Sequence, residues 1–118
     1  MRDKNRVNKT VVKKIIGYCE DIEENFGKFE NPSEEYISNK FFRYACDMCI
    51  LQIGELTTRL SEDFKKTHYE IEWRKIKALR NIHVHEYEKV NFDYMLKTLS
   101  EDIPALKESL QKIFEQMN

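Results

Sequence analysis

The chain is poor in the residues that break or cross-link a fold: three glycines, two prolines and three cysteines among 118 residues. So few turn-formers argue against a β-sandwich or barrel, which needs a chain reversal every ten residues or so. An odd cysteine count with no apolar leader after Met1 argues against a secreted disulfide framework, and predicts reduced thiols in a cytoplasmic protein. No apolar run approaches the ~20 residues that cross a bilayer, so no membrane association is expected. There is no internal repeat, no low-complexity tract and no strand-like alternation.

What is present is 41% apolar and 35% charged side chains, enough for the core of one domain spanning 1–118 and too apolar for a disordered chain. The net charge of −1 hides a polarised layout. Arg2, Lys4, Arg6, Lys9, Lys13 and Lys14 open the chain, acids dominate 20–35, and bases return from Lys65 to Arg80. Such alternation permits a nucleic-acid surface without demanding one, because a single charge run also describes a solvated helix face. Cys46-Asp47-Met48-Cys49 spells C-x-x-C, but inside a helical pattern rather than at a helix N-terminus, and without a second pair. These cysteines read as buried helix-face residues, not as a metal or redox site.

Apolar residues recur at three and four. Val12, Ile15, Ile16, Cys19, Ile22 and Phe26 predict a first helix over about 6–28. Asn31-Pro32 and Glu34 predict the start of a second, running to about Lys66. It has two stripes: Phe42, Ala45, Cys49, Ile53, Leu56 and Leu60, and Phe41, Tyr44, Met48 and Leu51. A helix apolar on two sides suggests a central helix that also meets a second subunit. Gly54 lies mid-helix, at about 1 kcal/mol against Ala, so close approach of another backbone is expected there. A third helix covers Ile71 to about His85; a last one, capped by Asn91, runs from Phe92 and is kinked at Pro104. The expectation is an all-α, antiparallel up-and-down bundle of four to five helices.

Polar groups beyond the needs of solvation concentrate in Arg80-Asn81-Ile82-His83-Val84-His85-Glu86-Tyr87. Histidine moves protons near neutrality, and arginine presents a permanent planar cation to phosphate. Together they suit RNA cleavage, in which the substrate supplies its own 2′-hydroxyl nucleophile. Arg80 and His85 are five apart, about 140° around an ideal helix. They meet on one phosphate only if the helix ends near His85, if the Arg side chain wraps, or if two copies face each other. His83-x-His85 lacks a metal-ligand spacing. On spacing alone, cations suiting a helix C-terminus explain this cluster at least as well.

The run from Trp73 to Tyr87, with its Trp, Arg80-Asn81, His85 and Tyr87, resembles the signature of HepT-like proteins in the HEPN superfamily of small helical ribonucleases. Ile53-Gly54-Glu55-Leu56 and Asp102-Ile103-Pro104-Ala105-Leu106 resemble its second-helix and final-helix segments. Ile71-Glu72-Trp73, Ala78 and Glu86 stand where that family often has Ile-Pro-Trp, Gly and Asp. The resemblance implies a toxin of a toxin–antitoxin pair: a homodimer that cleaves RNA without metal or cofactor. It implies that Arg80 stabilises phosphate charge, that His85 is the general acid or base, and that Asn81 orients the phosphate or His85. It also implies that Tyr87 is adenylylated by a cognate MntA-like nucleotidyltransferase antitoxin. Glu55 is a candidate for holding Arg80 or an opposing residue, or is merely solvated; His83 lines the site or packs; Trp73 reads as a core anchor. The rival readings are a non-catalytic nucleotide- or RNA-binding scaffold for such a transferase, and an antitoxin, which the lack of a nucleotidyltransferase motif disfavours.

Overall fold

The computed structural model describes residues 3–81 and 92–117. Helix α1 (Asp3–Phe26) buries Val11, Val12, Ile15, Cys19 and Ile22 on one face. It ends at Gly27, whose amide still reaches the Glu23 carbonyl at 2.9 Å.

The helix expected from Pro32 to about Lys66 is three pieces: α2 (Pro32–Ser38), α3 (Lys40–Thr57) and α4 (Glu62–Thr67). Each break sits where short polar side chains bond the backbone in place of the helical ladder. Asn39 Oδ1 accepts from the amides of Phe41 and Phe42 at 3.1 and 3.2 Å, restarting the helix as α3. At the other end Thr57 and Thr58 donate their hydroxyls back to the carbonyls of Gly54 and Glu55 at 2.7 and 2.6 Å. Ser61 then caps α4 by accepting from the Phe64 amide at 3.1 Å. The same Ser61 is clamped by buried Asn8 of α1, which donates to its hydroxyl and accepts from its amide, both at 3.0 Å. A polar pair 53 residues apart thus fixes the turn between α3 and α4 against α1.

Helix α5 (Trp73–Lys77) starts at the indole, which is buried and donates Nε1 to the His68 carbonyl at 2.9 Å. A 3-10 turn, Ala78–Asn81, continues it. Helix α6 (Phe92–Lys97) passes through a wide π turn, Thr98–Asp102, into α7 (Ile103–Gln116). The disturbance expected at Pro104 therefore falls on Thr98–Asp102, which ends two residues before it. Proline can donate no amide, and the wider turn re-spaces the carbonyls that such an amide would have met. Thr98 and Ser100 add hydroxyl bonds back to the carbonyls of Tyr94 and Leu96, at 3.1 and 2.7 Å.

The architecture is all-α, with α1 packed between α3 and α7. Ile15, Ile50, Ile53, Met95, Leu99, Ile103 and Leu110 are its fully buried centre. Lys107 of α7 donates to Glu23 of α1 across this packing. No helix among the described residues is long and apolar enough to cross a membrane. Of the two stripes on α3, Phe42, Cys49, Ile53 and Leu56 of the first are buried. The second is open: Phe41 is 74% exposed, Met48 55% and Tyr44 46%.

Candidate functional site

Arg80 is carried by the 3-10 turn, and the turn is seated directly on α3 at Gly54. A Cβ on Gly54 would lie 2.6 Å from the Arg80 amide nitrogen and 3.2 Å from its Cα and from the Ile76 carbonyl oxygen. All three obstacles are backbone, so no side-chain rotation would relieve them. That approach offsets the glycine's low helix propensity and sets the height of Arg80 above α3.

The Arg80 side chain turns to the next residue of α3. Its Nε donates to Glu55 Oε1 at 3.2 Å. The Arg80 and Glu55 side chains are 40% and 48% exposed, and a pair this solvated contributes about 0–1 kcal/mol to stability. Its consequence is orientation: the guanidinium is held at the molecular surface where an anion can reach it. Asn81, exposed, ends the turn. His83, His85, Glu86 and Tyr87 lie outside the described residues.

Trp73 anchors this region from beneath, its ring 6.0 Å from that of Phe64. Beside it, Lys75 pairs with Asp102 of the wide turn at 3.4 Å, and the Asp102 charge raises the pKa of the ammonium. A cleft of about 300 Å³ opens here, floored by Ile71, Ile76 and Leu79 and rimmed by Glu70, Glu72, Lys75 and Asp102. Three acids against one lysine make this rim a poor track for a phosphodiester backbone, in contrast to the arginine on the adjoining turn.

The three cysteines are buried free thiols. Desolvation pushes Cys19 and Cys46 up to about 12 and Cys49 to about 11, so all stay protonated at neutral pH and are poor ligands or nucleophiles. The C-x-x-C spelling is helix-face packing, as its setting implied.

Sequence reasoning missed one polar arrangement. Asp47, 2% exposed on α3, accepts from the Tyr36 hydroxyl at 2.7 Å. Arg43, one turn before it, donates Nη1 to the carbonyls of Tyr36 and Ile37 at 3.0 Å each, and its guanidinium lies 5.3 Å from the Phe92 ring. These contacts join α2, α3 and the start of α6. The only trace in sequence is Arg43 and Asp47 at i, i+4, a spacing equally typical of an exposed pair.

The sequence profile of the ribonuclease HepT-like family matches residues 15–113. The chain is 33% identical over 101 residues to a protein of Thermococcus cleftensis named probable ribonuclease HepT, covering 81% of this chain and 92% of that one. A candidate RNase of Methanocaldococcus jannaschii is 29% identical over 97 residues, covering 82% and 81%. Another, from Caldanaerobacter subterraneus, is 25% identical over 83 residues, covering 70% and 74%. No solved structure matches at a significant level.

Proposed function

The chain belongs to the ribonuclease HepT-like family, and from that footing we propose that it is a metal-independent endoribonuclease acting as the toxin of a toxin–antitoxin pair. The observation that carries the reading is Arg80, a surface guanidinium on a turn braced by Gly54 and aimed by Glu55, inside the region the family profile matches. A cation so presented stabilises the charge that develops on a phosphorane.

In this reading the RNA 2′-oxygen loses its proton and attacks phosphorus, and the bond from phosphorus to the 5′-oxygen breaks. A proton reaches that departing oxygen, leaving a 2′,3′-cyclic phosphate and a 5′-hydroxyl. His85 carries one of these protons as general acid or base, Arg80 meets the non-bridging oxygens, and Asn81 orients the phosphate or His85. Two copies line one cleft. Silencing is chemical: the Tyr87 hydroxyl attacks the α-phosphorus of ATP on an MntA-like nucleotidyltransferase, pyrophosphate leaves, and AMP stays on the phenol. The added anion and bulk would compete for Arg80 and exclude RNA.

Purified protein should cut RNA in excess chelator and leave cyclic phosphate ends. Arg80→Ala and His85→Ala should each abolish cutting while helical circular dichroism is retained. Loss of all cleavage on adding EDTA would refute the mechanism. Co-expression with the transferase should add the mass of one AMP to the peptide containing Tyr87; a neutralised toxin with an unmodified tyrosine would refute that step.

A further inference from the structure

Helix α5 and its 3-10 extension sort their charges by face. Arg74, Lys77 and Arg80 are exposed and recur at intervals of three. At about 100° per residue in the helix and about 120° in the 3-10 turn, they stay within an arc of about 60°. Lys75 lies on another side, about 100° from Arg74 and about 160° from Lys77. It lines the cleft, where Glu72 at 4.0 Å and Asp102 at 3.4 Å meet it, and Glu70 lines the same cleft. Arg80 is offset by Glu55, whereas no carboxylate among the described residues pairs with Arg74 or Lys77. Two uncompensated cations therefore lead up to the arginine of the candidate site.

At the start of this ridge stands Tyr69, 82% exposed, the most exposed large hydrophobic side chain among the described residues. Its turn is fastened all the same. The His68 carbonyl accepts from Trp73 Nε1 at 2.9 Å and from the Ile71 amide at 3.2 Å, and the His68 ring lies 4.6 Å from that of Phe64. The buried indole of Trp73 thus holds the backbone immediately before an aromatic ring that is open to water. A ring presented on fixed backbone needs little further ordering to stack on a flat partner. The cores of protein interfaces are depleted of lysine, yet Lys66, Arg74 and Lys77 are the exposed cations on either side of Tyr69 in sequence. Cations leading to a bare aromatic ring suit single-stranded nucleic acid: the charges track phosphates and the ring takes a base.

We propose that Tyr69, Arg74 and Lys77 form a subsite for an unpaired stretch of RNA that extends from Arg80 toward α4. Arg74 and Lys77 meet successive phosphates, and Tyr69 stacks on a base. The inference deepens the ribonuclease reading above and rests on it for the scissile phosphate at Arg80. From Arg74 to Arg80 is about 10 Å along the axis, the rise of roughly three nucleotides of one strand. The substrate that fits is a single strand, a loop or an unpaired end. Bases inside a duplex are stacked on one another and offer no face to Tyr69. A preference for unpaired RNA then resides outside the segment from Arg80 to Tyr87.

Binding is read with a 2′-O-methyl RNA of about 12 nucleotides, which lacks the attacking hydroxyl and stays uncut. The full chain should bind this single strand about tenfold more tightly than the same sequence in a duplex. Tyr69→Ala should weaken single-strand binding about tenfold and erase the preference, while Tyr69→Phe, which keeps the ring, should bind as the wild type does. Arg74→Gln and Lys77→Gln should each reduce the slope of log affinity against log salt by about 0.7, the value for one phosphate of a single strand. Equal binding of duplex and single strand overturns the proposal, as does undiminished affinity in Tyr69→Ala or an unchanged salt slope in both glutamine variants. Variants that keep RNA affinity but no longer hold the co-expressed nucleotidyltransferase would make the ridge a protein surface and overturn it too. RNA cleavage is scored separately. A chain that cuts RNA while these variants bind it normally loses only this inference; a chain that neither binds nor cuts RNA loses the ribonuclease reading as well.

Discussion

Gly54 supports the candidate site through what it lacks. Gly54→Ala forces a methyl group against the backbone of Arg80 and Ile76, so the 3-10 turn must lift from α3. The expected cost is about 1–3 kcal/mol of stability, as for other overpacked positions, measured by urea unfolding. RNA cleavage should fall further than this loss accounts for, because Arg80 rides on the displaced turn. Close approach at Gly54 was legible in sequence, since a mid-helix glycine is disfavoured without a reason. Asp47 was not. Its neighbours Cys46, Met48 and Cys49 give an apolar local pattern, and its partner Tyr36 lies on another helix. Tyr36→Phe removes that donor from a buried carboxylate and should cost about 1–3 kcal/mol, again read from urea unfolding.

Among the elements, the breaks taught more than the helices. Hydrophobic periodicity runs unbroken from Phe41 through Leu60, so it reports which residues face the core and is silent about where the ladder stops. The stops are made by Asn39, Thr57, Thr58 and Ser61 through side-chain bonds to backbone, which hydropathy cannot register. Asn8 shows the same limit: it stands in a basic, polar stretch, yet it is buried because Ser61 satisfies both ends of its amide. Asn8→Ala should therefore destabilise by about 1–3 kcal/mol although it removes no apolar contact. Chemical denaturation of Asn8→Ala, Ser61→Ala and the double variant should show coupling, the pair costing less than the sum of the singles. Pro104 was expected to kink the last helix; the disturbance is the wide turn Thr98–Asp102, inside that helix and about one turn before the proline.

For the whole molecule, stability should depend on alkaline pH in a definite direction. The Cys19, Cys46 and Cys49 thiols titrate near 9 when unfolded and near 11 to 12 when folded, because burial penalises the thiolate. Lys107 is displaced upward as well, by its hydrogen bond to Glu23. In each case the folded chain holds its proton more tightly. The thiol contribution is complete below pH 9 and is lost as pH climbs toward 12, and that of Lys107 is lost only above its ordinary value of 10.5. Melting temperature should therefore fall through that window on account of these groups, and a thiol reagent at neutral pH should label cysteines only when denaturant is added. The all-α class and the buried face of each long helix were legible in the sequence, because both follow from period. The contact of Glu55 with Arg80 was one of three open readings, since 25 residues separate them and the seating of the turn on Gly54 brings them together.

The sandwiching of α1 between α3 and α7 has a temporal consequence. During synthesis the first helix is complete long before the segment that shields its other flank exists. A nascent chain halted ahead of Ile103 carries an uncovered greasy strip, a target for chaperones and proteases. Partial products would then be cleared as misfolded debris and would not accumulate as half-folded chains.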